Sequence, residues 1–271
     1  MNVRTNDRAL TSSPRDLART AAPRHLYPPV QVVILAAGMG TRLGRSTPKP
    51  LTRLQDGRTI QRRQVEALRS AFGDDVDITV VVGFSSDQLM AASPDVRFAY
   101  NPHFATTNTS KSLWRGLSTC REGGVLWLNG DVVFDPDVLE HVLGWVRADE
   151  SFVCVNTEAV ADEEIKYTLD DDGCIRELSK TVVGGLGEAV GINYVSSEDR
   201  AALIEHLDVC GDQDYFERAI ETAIEFEGLR FRPLDISAFP AVEVDFERDL
   251  ERANAIFWGG SVLQTLAADV G

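Results

Sequence analysis

Short runs of β-branched and aliphatic residues alternate with helically spaced apolar residues along the first 150 positions of the chain. Apolar runs bounded by glycine or polar residues predict buried strands, and apolar residues three or four apart predict amphipathic helices. The predicted strands are 30–37, 77–82, 96–100 and 124–128. The predicted helices are 59–72, 87–92, 109–119 and 136–147. This alternation indicates an α/β fold with a doubly wound, mostly parallel sheet, which binds ligands at the carboxyl ends of its strands.

The second half of the chain has a mixed pattern. It predicts strands at 153–156, 190–195 and 242–245, a hairpin of 167–170 and 174–178, and helices at 199–206, 214–227 and 246–257. The sheet is therefore expected to be mixed, with a small β-rich insertion on the substrate side at roughly 158–195. Residues 1–29 are rich in arginine and proline and predict a flexible N-terminal arm, with a substrate lid or dimer arm as the alternative. Residues 30–271 are expected to form one domain.

Composition excludes several classes of protein. A net charge of −15 argues against nonspecific binding of nucleic acid, which needs a basic face. The chain has no run of 18 apolar residues, so we expect no membrane partner. Its four cysteines contain no CxxC pair, so we expect reduced thiols in a cytoplasmic protein. A homodimer is left open. The chain has only four lysines, and all lie in or beside the segments described next: Lys49, Lys111, Lys166 and Lys180.

A glycine-rich segment follows the first predicted strand. It has the sequence LAAGMGTRL from Leu35 to Leu43, and PKP follows at 48–50. Small residues here let backbone N–H groups approach an anion, and Arg42 and Lys49 add positive charge suited to phosphates. The glycine spacing fits neither the dinucleotide fingerprint G-x-G-x-x-G nor the phosphate-binding loop G-x-x-x-x-G-K-[ST].

The pattern L-A-A-G-x-G-T-R-L followed by P-K-P resembles the signature of the sugar-nucleotide pyrophosphorylase-like nucleotidyltransferases, and the resemblance extends over roughly 30–255. It implies a Rossmann-like nucleotidyltransferase fold of the glycosyltransferase A type. It also implies a catalytic role for Arg42 and Lys49. The nucleotide-binding residues that it implies in this segment are Leu35, Ala36, Ala37, Gly38, Gly40, Thr41, Arg42 and Lys49.

Two aspartates end hydrophobic strands, Asp131 after VLWLNG and Asp245 after VEV. A single aspartate at a strand end is often only a cap, whereas Mg²⁺ is commonly bound by one or two carboxylates together with substrate phosphates. In the resembled superfamily these positions match the metal-binding aspartates, so Asp131 and Asp245 are predicted to bind Mg²⁺, with Asp131 also catalytic. The triplet Asn-Gly-Asp lacks the D-x-D of glycosyltransferases, which disfavours a glycosyltransferase.

The segment YNPHFATTNTSKSLW at 100–114 resembles the phosphocholine-type cytidylyltransferases, a branch that includes inositol-phosphate and phosphonate enzymes. This resemblance places Asn101, Asn108 and Ser112 at the base or ribose of CTP, and Gly83 is added to the nucleotide-binding set. Asn108 also suits the N-cap of the helix that follows it, and the two roles are compatible.

The residues that bind the acceptor substrate are predicted mainly from the remaining lysines. Lys166, Lys180 and Glu188 lie at positions that match the middle segment of the same branch, and they are assigned to substrate binding. Lys111 departs from the branch pattern. It is assigned to a second negative charge on the substrate, with plain solvation as the alternative.

The sequence therefore predicts a Mg²⁺-dependent cytidylyltransferase that transfers CMP from CTP to a phosphate or phosphonate acceptor and releases pyrophosphate. Its expected partners are small molecules: CTP and an anionic acceptor. A phosphonate, phosphocholine or a polyol phosphate remain open as acceptor. The alternatives are a sugar-1-phosphate nucleotidyltransferase that uses dTTP or UTP, and a nucleotide-binding protein without catalysis.

Overall fold

The computed structural model describes residues 28–44, 47–158 and 164–268, without the side chains of residue 41 and of 259–268. The arm predicted at 1–29 lies outside the described residues except for its last two positions. No helix within the described ranges is both long enough and apolar enough to cross a membrane.

Eleven strands are present in the described ranges. Their bounds are β1 Gln31–Ala36, β2 Asp77–Val82, β3 Arg97–Tyr100, β4 Val125–Asn129, β5 Val132–Phe134, β6 Phe152–Asn156, β7 Lys166–Leu169, β8 Ile175–Ser179, β9 Glu188–Val195, β10 Arg232–Asp235 and β11 Ala241–Glu243. The main sheet has the order β10-β6-β9-β4-β1-β2-β3. The pairs β1–β2, β1–β4, β2–β3 and β6–β10 are parallel, whereas β9 runs antiparallel to β4 and β6. The predicted mixed, mostly parallel sheet is therefore confirmed.

Seven α-helices are described. Their bounds are α1 Ile60–Phe72, α2 Ser86–Ala92, α3 Thr109–Thr119, α4 Asp137–Ala148, α5 Arg200–Val209, α6 Phe216–Glu227 and α7 Glu247–Ala268. Alternation along β1 separates the two layers, because Val32 and Ile34 pack against α1 and α4, whereas Val33 and Leu35 pack against α3, α5 and α6. Every residue of β1 is buried, which explains its continuous apolar run.

Two strands were not predicted. β10 contains Pro233 and lies at the edge of the main sheet, where a residue without a backbone N–H is tolerated. β5 has only three residues and pairs antiparallel with β11 in a separate two-stranded sheet. The predicted strand at 242–245 therefore lies outside the main sheet. This small sheet brings the end of β11 close to the end of β4.

The connection between β4 and β5 is held by a buried glutamine. The side-chain amide of Gln64, on α1, donates to the carbonyl oxygens of Asn129 at 2.9 Å and of Val132 at 2.8 Å. These two carbonyls flank Asp131. The glycine between them is required because a Cβ on Gly130 would lie 2.5 Å from the carbonyl oxygen of Leu35. Asp131 is thus fixed by a helix on one side and by β1 on the other.

We predict that Gln64→Ala lowers the free energy of unfolding by about 2 to 4 kcal/mol, because two buried carbonyls each lose a donor. Urea denaturation measures this loss. The exposed Gln88→Ala on α2 is the matched control and should change stability by less than about 0.5 kcal/mol. A Gln64→Ala protein as stable as the control would show that these two hydrogen bonds do not hold the connection.

Candidate active site

A cleft opens at the carboxyl ends of β1 and β4, where a doubly wound sheet is expected to bind its ligand. Its floor is formed by the glycine-rich loop and by the turn after β4. The residues of the glycine-rich loop, the PKP segment and the turn after β4 that line the cleft are Leu35, Ala36, Ala37, Gly38, Gly40, Lys49, Asn129, Gly130 and Asp131. The two strand ends that the sequence singled out thus line one cleft.

The glycine-rich loop depends on Gly40. This residue has a φ of +59°, in the left-handed region that side chains disfavour. A Cβ at this position would also lie 2.7 Å from Cγ of Lys49. Glycine therefore lets the loop pass directly over the lysine. The side chain of Thr41, another predicted nucleotide ligand, lies outside the described residues.

Lys49 joins the two predicted metal-binding aspartates. Its ammonium donates to Oδ2 of Asp131 at 3.0 Å and to Oδ1 of Asp245, and Arg42 also contacts Asp245. Burial opposes the charge on Lys49, but the two carboxylates hold its pKa above its usual range. Burial likewise opposes ionisation of Asp245, but Lys49 and Arg42 hold its pKa below its usual range. Lys49 and Asp245 are therefore both charged at neutral pH.

A third carboxylate, which the sequence prediction missed, completes an acidic cluster. Oxygen atoms of Asp131, Glu243 and Asp245 all lie within 4.8 Å of one another. The negative charge of Asp131, followed by burial and the charge of Asp245, raises the pKa of Glu243 well above its usual value. Strand alternation could have revealed Glu243, because Val242 and Val244 are buried and residues 243 and 245 then share the opposite face.

The predicted base-binding residues divide into two groups. Ser112 and Asn108 line the cleft, and the Asn108 side chain also accepts from the Thr109 N–H at 2.9 Å at the start of α3. Asn101 is 1% exposed, and its amide donates to Oγ1 of Thr107 at 3.1 Å and to Oγ of Ser112 at 3.2 Å. Asn101 therefore positions Ser112 from behind.

Gly83 is absent from the residues that line the cleft in the described part of the chain. A Cβ on Gly83 would lie 2.5 Å from Cβ of Phe104 and 2.7 Å from the carbonyl oxygen of Ala37. Gly83 thus lies where the end of β2, the glycine-rich loop and the segment after β3 are in close contact. It shapes the cleft wall without entering the cleft.

The predicted acceptor residues are spread over three places. Lys180 lines the cleft, and its ammonium lies 5.1 Å from the ring centre of Tyr215. Lys166 and Glu188 face each other across the single pairing of β7 with β9, and Glu188 lines an adjoining pocket. Lys111 lies elsewhere: its ammonium donates to the carbonyl oxygens of Leu207 and Asp208, at 3.2 and 2.7 Å.

This position of Lys111 corrects the predicted substrate contact. The two carbonyls belong to the last turn of α5, where a cation satisfies unpaired acceptors and the helix dipole. The neighbouring Ser112 lines the cleft, whereas Lys111 lies one residue away on the helix and faces α5. One step along a helix turns a side chain by about 100°. Lys111 and Ser112 therefore point in different directions and do not contact the same ligand by virtue of being neighbours.

Glu217, near the start of α6, is a second carboxylate that sequence reasoning missed. It lines the cleft, it is 7% exposed, and its Oε2 has no hydrogen-bond partner. Burial raises the pKa of Glu217 from 4.5 to about 7. In the sequence it resembles an ordinary acidic residue in the first turn of a helix, which is why no pattern distinguished it.

Comparison with known proteins agrees with this geometry. A family model for the MobA-like NTP transferase domain matches residues 32–213. CMP-5'-(3-aminopropyl)phosphonate synthase of Streptomyces rubellomurinus is 28% identical over 257 residues, covering 84% of this chain and 39% of that protein. The chain thus spans about two fifths of the length of this relative.

Three solved structures share the fold at 16 to 18% identity. A CTP:phosphocholine cytidylyltransferase from Streptococcus pneumoniae has a TM-score of 0.66, with 84% of this chain and 99% of that chain covered. The inositol-1-phosphate CTP transferase of T. maritima has a TM-score of 0.67, with 85% and 97% covered. A Bacillus anthracis protein assigned as a glucose-1-phosphate thymidylyltransferase has a TM-score of 0.66, with 84% and 94% covered.

The buried carboxyl of Glu217 predicts a dependence of stability on pH. Its pKa is higher in the folded than in the unfolded chain, so its contribution to stability is complete below pH 4.5 and is lost as the pH rises through about 7. Glutamine cannot ionise. Glu217→Gln should therefore be more stable than the wild type by up to about 3 kcal/mol at pH 8.5, and by less at pH 5.5.

Urea denaturation of both proteins at the two pH values measures this difference. Glu225→Gln, an exposed position on the same helix, is the matched control and should show no pH-dependent difference. Equal stability of Glu217→Gln and wild type at pH 8.5 would contradict the raised pKa.

Proposed function

This chain belongs to the family of MobA-like NTP transferase domains and is a nucleotidyltransferase, and we propose that it transfers CMP from CTP to a phosphate or phosphonate acceptor. One observation carries the proposal. Lys49 lies under a glycine-rich loop and contacts two strand-end aspartates in the same cleft. A glycine-rich loop suited to phosphates, a half-buried cation and a carboxylate cluster together supply the groups that phosphoryl transfer uses.

The nucleotide is assigned to the β1 side of the cleft. Backbone N–H groups from Gly38 to Thr41 would cradle the triphosphate, and Lys49 and Arg42 would offset its charge. Ser112 and Asn108 would face the base or ribose, since their side chains combine donors and acceptors that suit a pyrimidine edge. CTP is chosen because the named activities of the curated relative and of two solved structures involve cytidine nucleotides.

The acidic cluster suits a divalent metal ion. Hard carboxylate oxygens are the ligands that Mg²⁺ prefers, and the raised pKa of Glu243 reflects a repulsion that a divalent cation would relieve. Asp131 and Asp245, joined by Glu243, would hold the ion. When bound, Mg²⁺ supplies positive charge that orients the α-phosphate and stabilises the charge that develops there.

The reaction needs no general base from the chain. An oxygen of the acceptor phosphate or phosphonate is already ionised at neutral pH and attacks the α-phosphorus of CTP. The new P–O bond forms as the bond to pyrophosphate breaks, and no proton is transferred. The chain must instead bring two anions together, and Lys49 and Arg42 provide fixed positive charge for this purpose.

The acceptor is assigned to the β4–β9 side of the cleft. Lys180 would offset its charge directly, and Lys166 on β7 and Glu188 on β9 would support it from the pairing of these two strands. The opening on this side depends on Gly191, which has a φ of +74° and whose Cβ would lie 2.6 Å from Nδ2 of Asn129. A phosphonate is favoured by the activity named for the curated relative.

We predict pyrophosphate release with Mg²⁺ and CTP in a matrix of four nucleoside triphosphates against phosphonates, phosphocholine, inositol 1-phosphate and glucose 1-phosphate. Lys49→Ala should reduce turnover at least about 100-fold, because a buried charge at the transferring phosphate is lost. Arg176→Ala, an exposed arginine on β8, is the control for loss of charge and should keep wild-type turnover.

Two outcomes would contradict this assignment. Turnover restricted to dTTP or UTP with glucose 1-phosphate would make the protein a sugar-1-phosphate nucleotidyltransferase. CTP binding without pyrophosphate release from any acceptor would make it a nucleotide-binding protein without catalysis.

The metal assignment predicts weaker binding of Mn²⁺, a spectroscopic substitute for Mg²⁺, when a carboxylate is removed. Glu243→Gln should weaken Mn²⁺ binding about tenfold or more, because the site loses one charged oxygen ligand. Titration followed by electron paramagnetic resonance measures free Mn²⁺ directly. The exposed Glu251→Gln on α7 is the control, and equal affinities of the two variants would remove Glu243 from the site.

A further inference from the structure

The cleft contains a buried carboxylate that the proposed reaction does not use. Glu217 lines it with Tyr215 and Phe216, but one of its carboxylate oxygens is buried without a hydrogen-bond partner. Its own backbone N–H approaches the carboxylate, which accounts for only part of its hydrogen-bonding capacity. Within the described part of the chain, no ion pair includes Glu217. A buried carboxylate in this state is costly unless a ligand supplies the missing donor.

The surroundings of α6 place Glu217 on the acceptor side. Phe216 packs edge-on against Trp127 of β4, with ring centres 5.7 Å apart. One turn after Glu217, the carboxylate of Glu221 accepts from the backbone N–H of Leu178 at 2.9 Å, near the end of β8. Glu217 therefore lies next to the strand end that carries Lys180. The Gly83 corner of the cleft, at the end of β2, is on the other side of β1.

The same wall of the cleft can accept a positive charge. The ammonium of Lys180 already lies 5.1 Å from the ring centre of Tyr215, a distance at which an aromatic face attracts a cation. A ligand bearing only negative charge would be repelled by an ionised Glu217 and would leave a protonated one without a partner. A ligand with a cationic end would supply the donor that the carboxylate lacks.

We propose that Glu217 binds a primary ammonium group of the acceptor, so that the acceptor is a zwitterion with a phosphonate or phosphate at its other end. This inference rests on the proposed function, since it concerns the acceptor of that reaction. Oε2 of Glu217 lacks a hydrogen-bond donor, which a primary ammonium provides and a trimethylammonium does not. Glu217 is thus a specificity-determining residue, and Lys180 and Glu217 select opposite ends of one molecule.

The test compares ligands that differ only at the cationic end. We would measure the binding of 3-aminopropylphosphonate and of n-butylphosphonate by titration calorimetry, with a non-hydrolysable CTP analogue and Mg²⁺ present. The amine should bind about 10- to 100-fold more tightly, as expected for a charged hydrogen bond in a buried site. Phosphoethanolamine should likewise bind more tightly than phosphocholine.

Glu217→Gln should reduce the preference for the amine to less than about threefold, while the affinity for the CTP analogue stays unchanged. Glu225→Gln, exposed on the same helix, should keep the full preference. Equal binding of the two phosphonates by the wild type would overturn the inference. Tighter binding of phosphocholine than of phosphoethanolamine would also overturn it. The same holds for a Glu217→Gln variant that keeps the preference for the amine over n-butylphosphonate.

Binding and turnover separate this inference from the proposed function. Binding of the amine that depends on Glu217, without pyrophosphate release, would support the ammonium site and refute the transferase reaction with that acceptor. Pyrophosphate release from CTP with amine and methyl acceptors at equal kcat/KM would support the reaction and refute the ammonium site.

Discussion

The site depends on one ammonium group held between two carboxylates. Lys49 contacts Asp131 and Asp245 and so joins a turn after β1, the end of β4 and the end of β11, which are far apart in the sequence. Three acidic groups within 4.8 Å would repel one another without a cation among them. Lys49 therefore stabilises the arrangement before a substrate arrives. An incoming triphosphate and metal ion would exchange partners with the same groups, so the bound state needs little new structure.

The rest of the fold keeps this contact in place while leaving the cleft open. Gln64 and β1 fix the connection that carries Asp131, and the short β5–β11 sheet delivers the other two carboxylates from the opposite direction. Glycines appear where two backbones or a backbone and a side chain approach too closely for a Cβ, as at Gly40 and Gly130. The end of β1 then lies on one side of the cleft, and the antiparallel β9 lies on the other.

The sequence was most informative where local pattern and structure depend on the same residues. Buried parallel strands give continuous apolar runs, and the glycine-rich loop is one contiguous segment, so both could be predicted. Lys111 was misassigned because its environment is set by the end of α5, about one hundred positions away in the chain. β10 was missed because Pro233 is acceptable only at a sheet edge, and edge positions are decided by the whole topology. The burial of Glu217 in the cleft likewise follows from contacts between α6 and the end of β8, which lie far apart in the sequence.

Charge balance connects the acidic cluster with the proposed acceptor site. The chain carries a net charge of −15, whereas the triphosphate and the acceptor phosphate or phosphonate that we propose as substrate groups are anionic, so their binding must rely on local cations rather than on the overall field. The cleft contains more than these cations, because Asp131, Glu243 and Glu217 also line it. Asp131 and Glu243 belong to a cluster with hard oxygen ligands that a divalent ion can neutralise. Glu217 lies apart from that cluster, among aromatic rings and near one lysine, where an organic ammonium is the better match. The two carboxylate environments in one cleft thus suit two different cations, a divalent ion at the acidic cluster and the ammonium group of the proposed acceptor at Glu217.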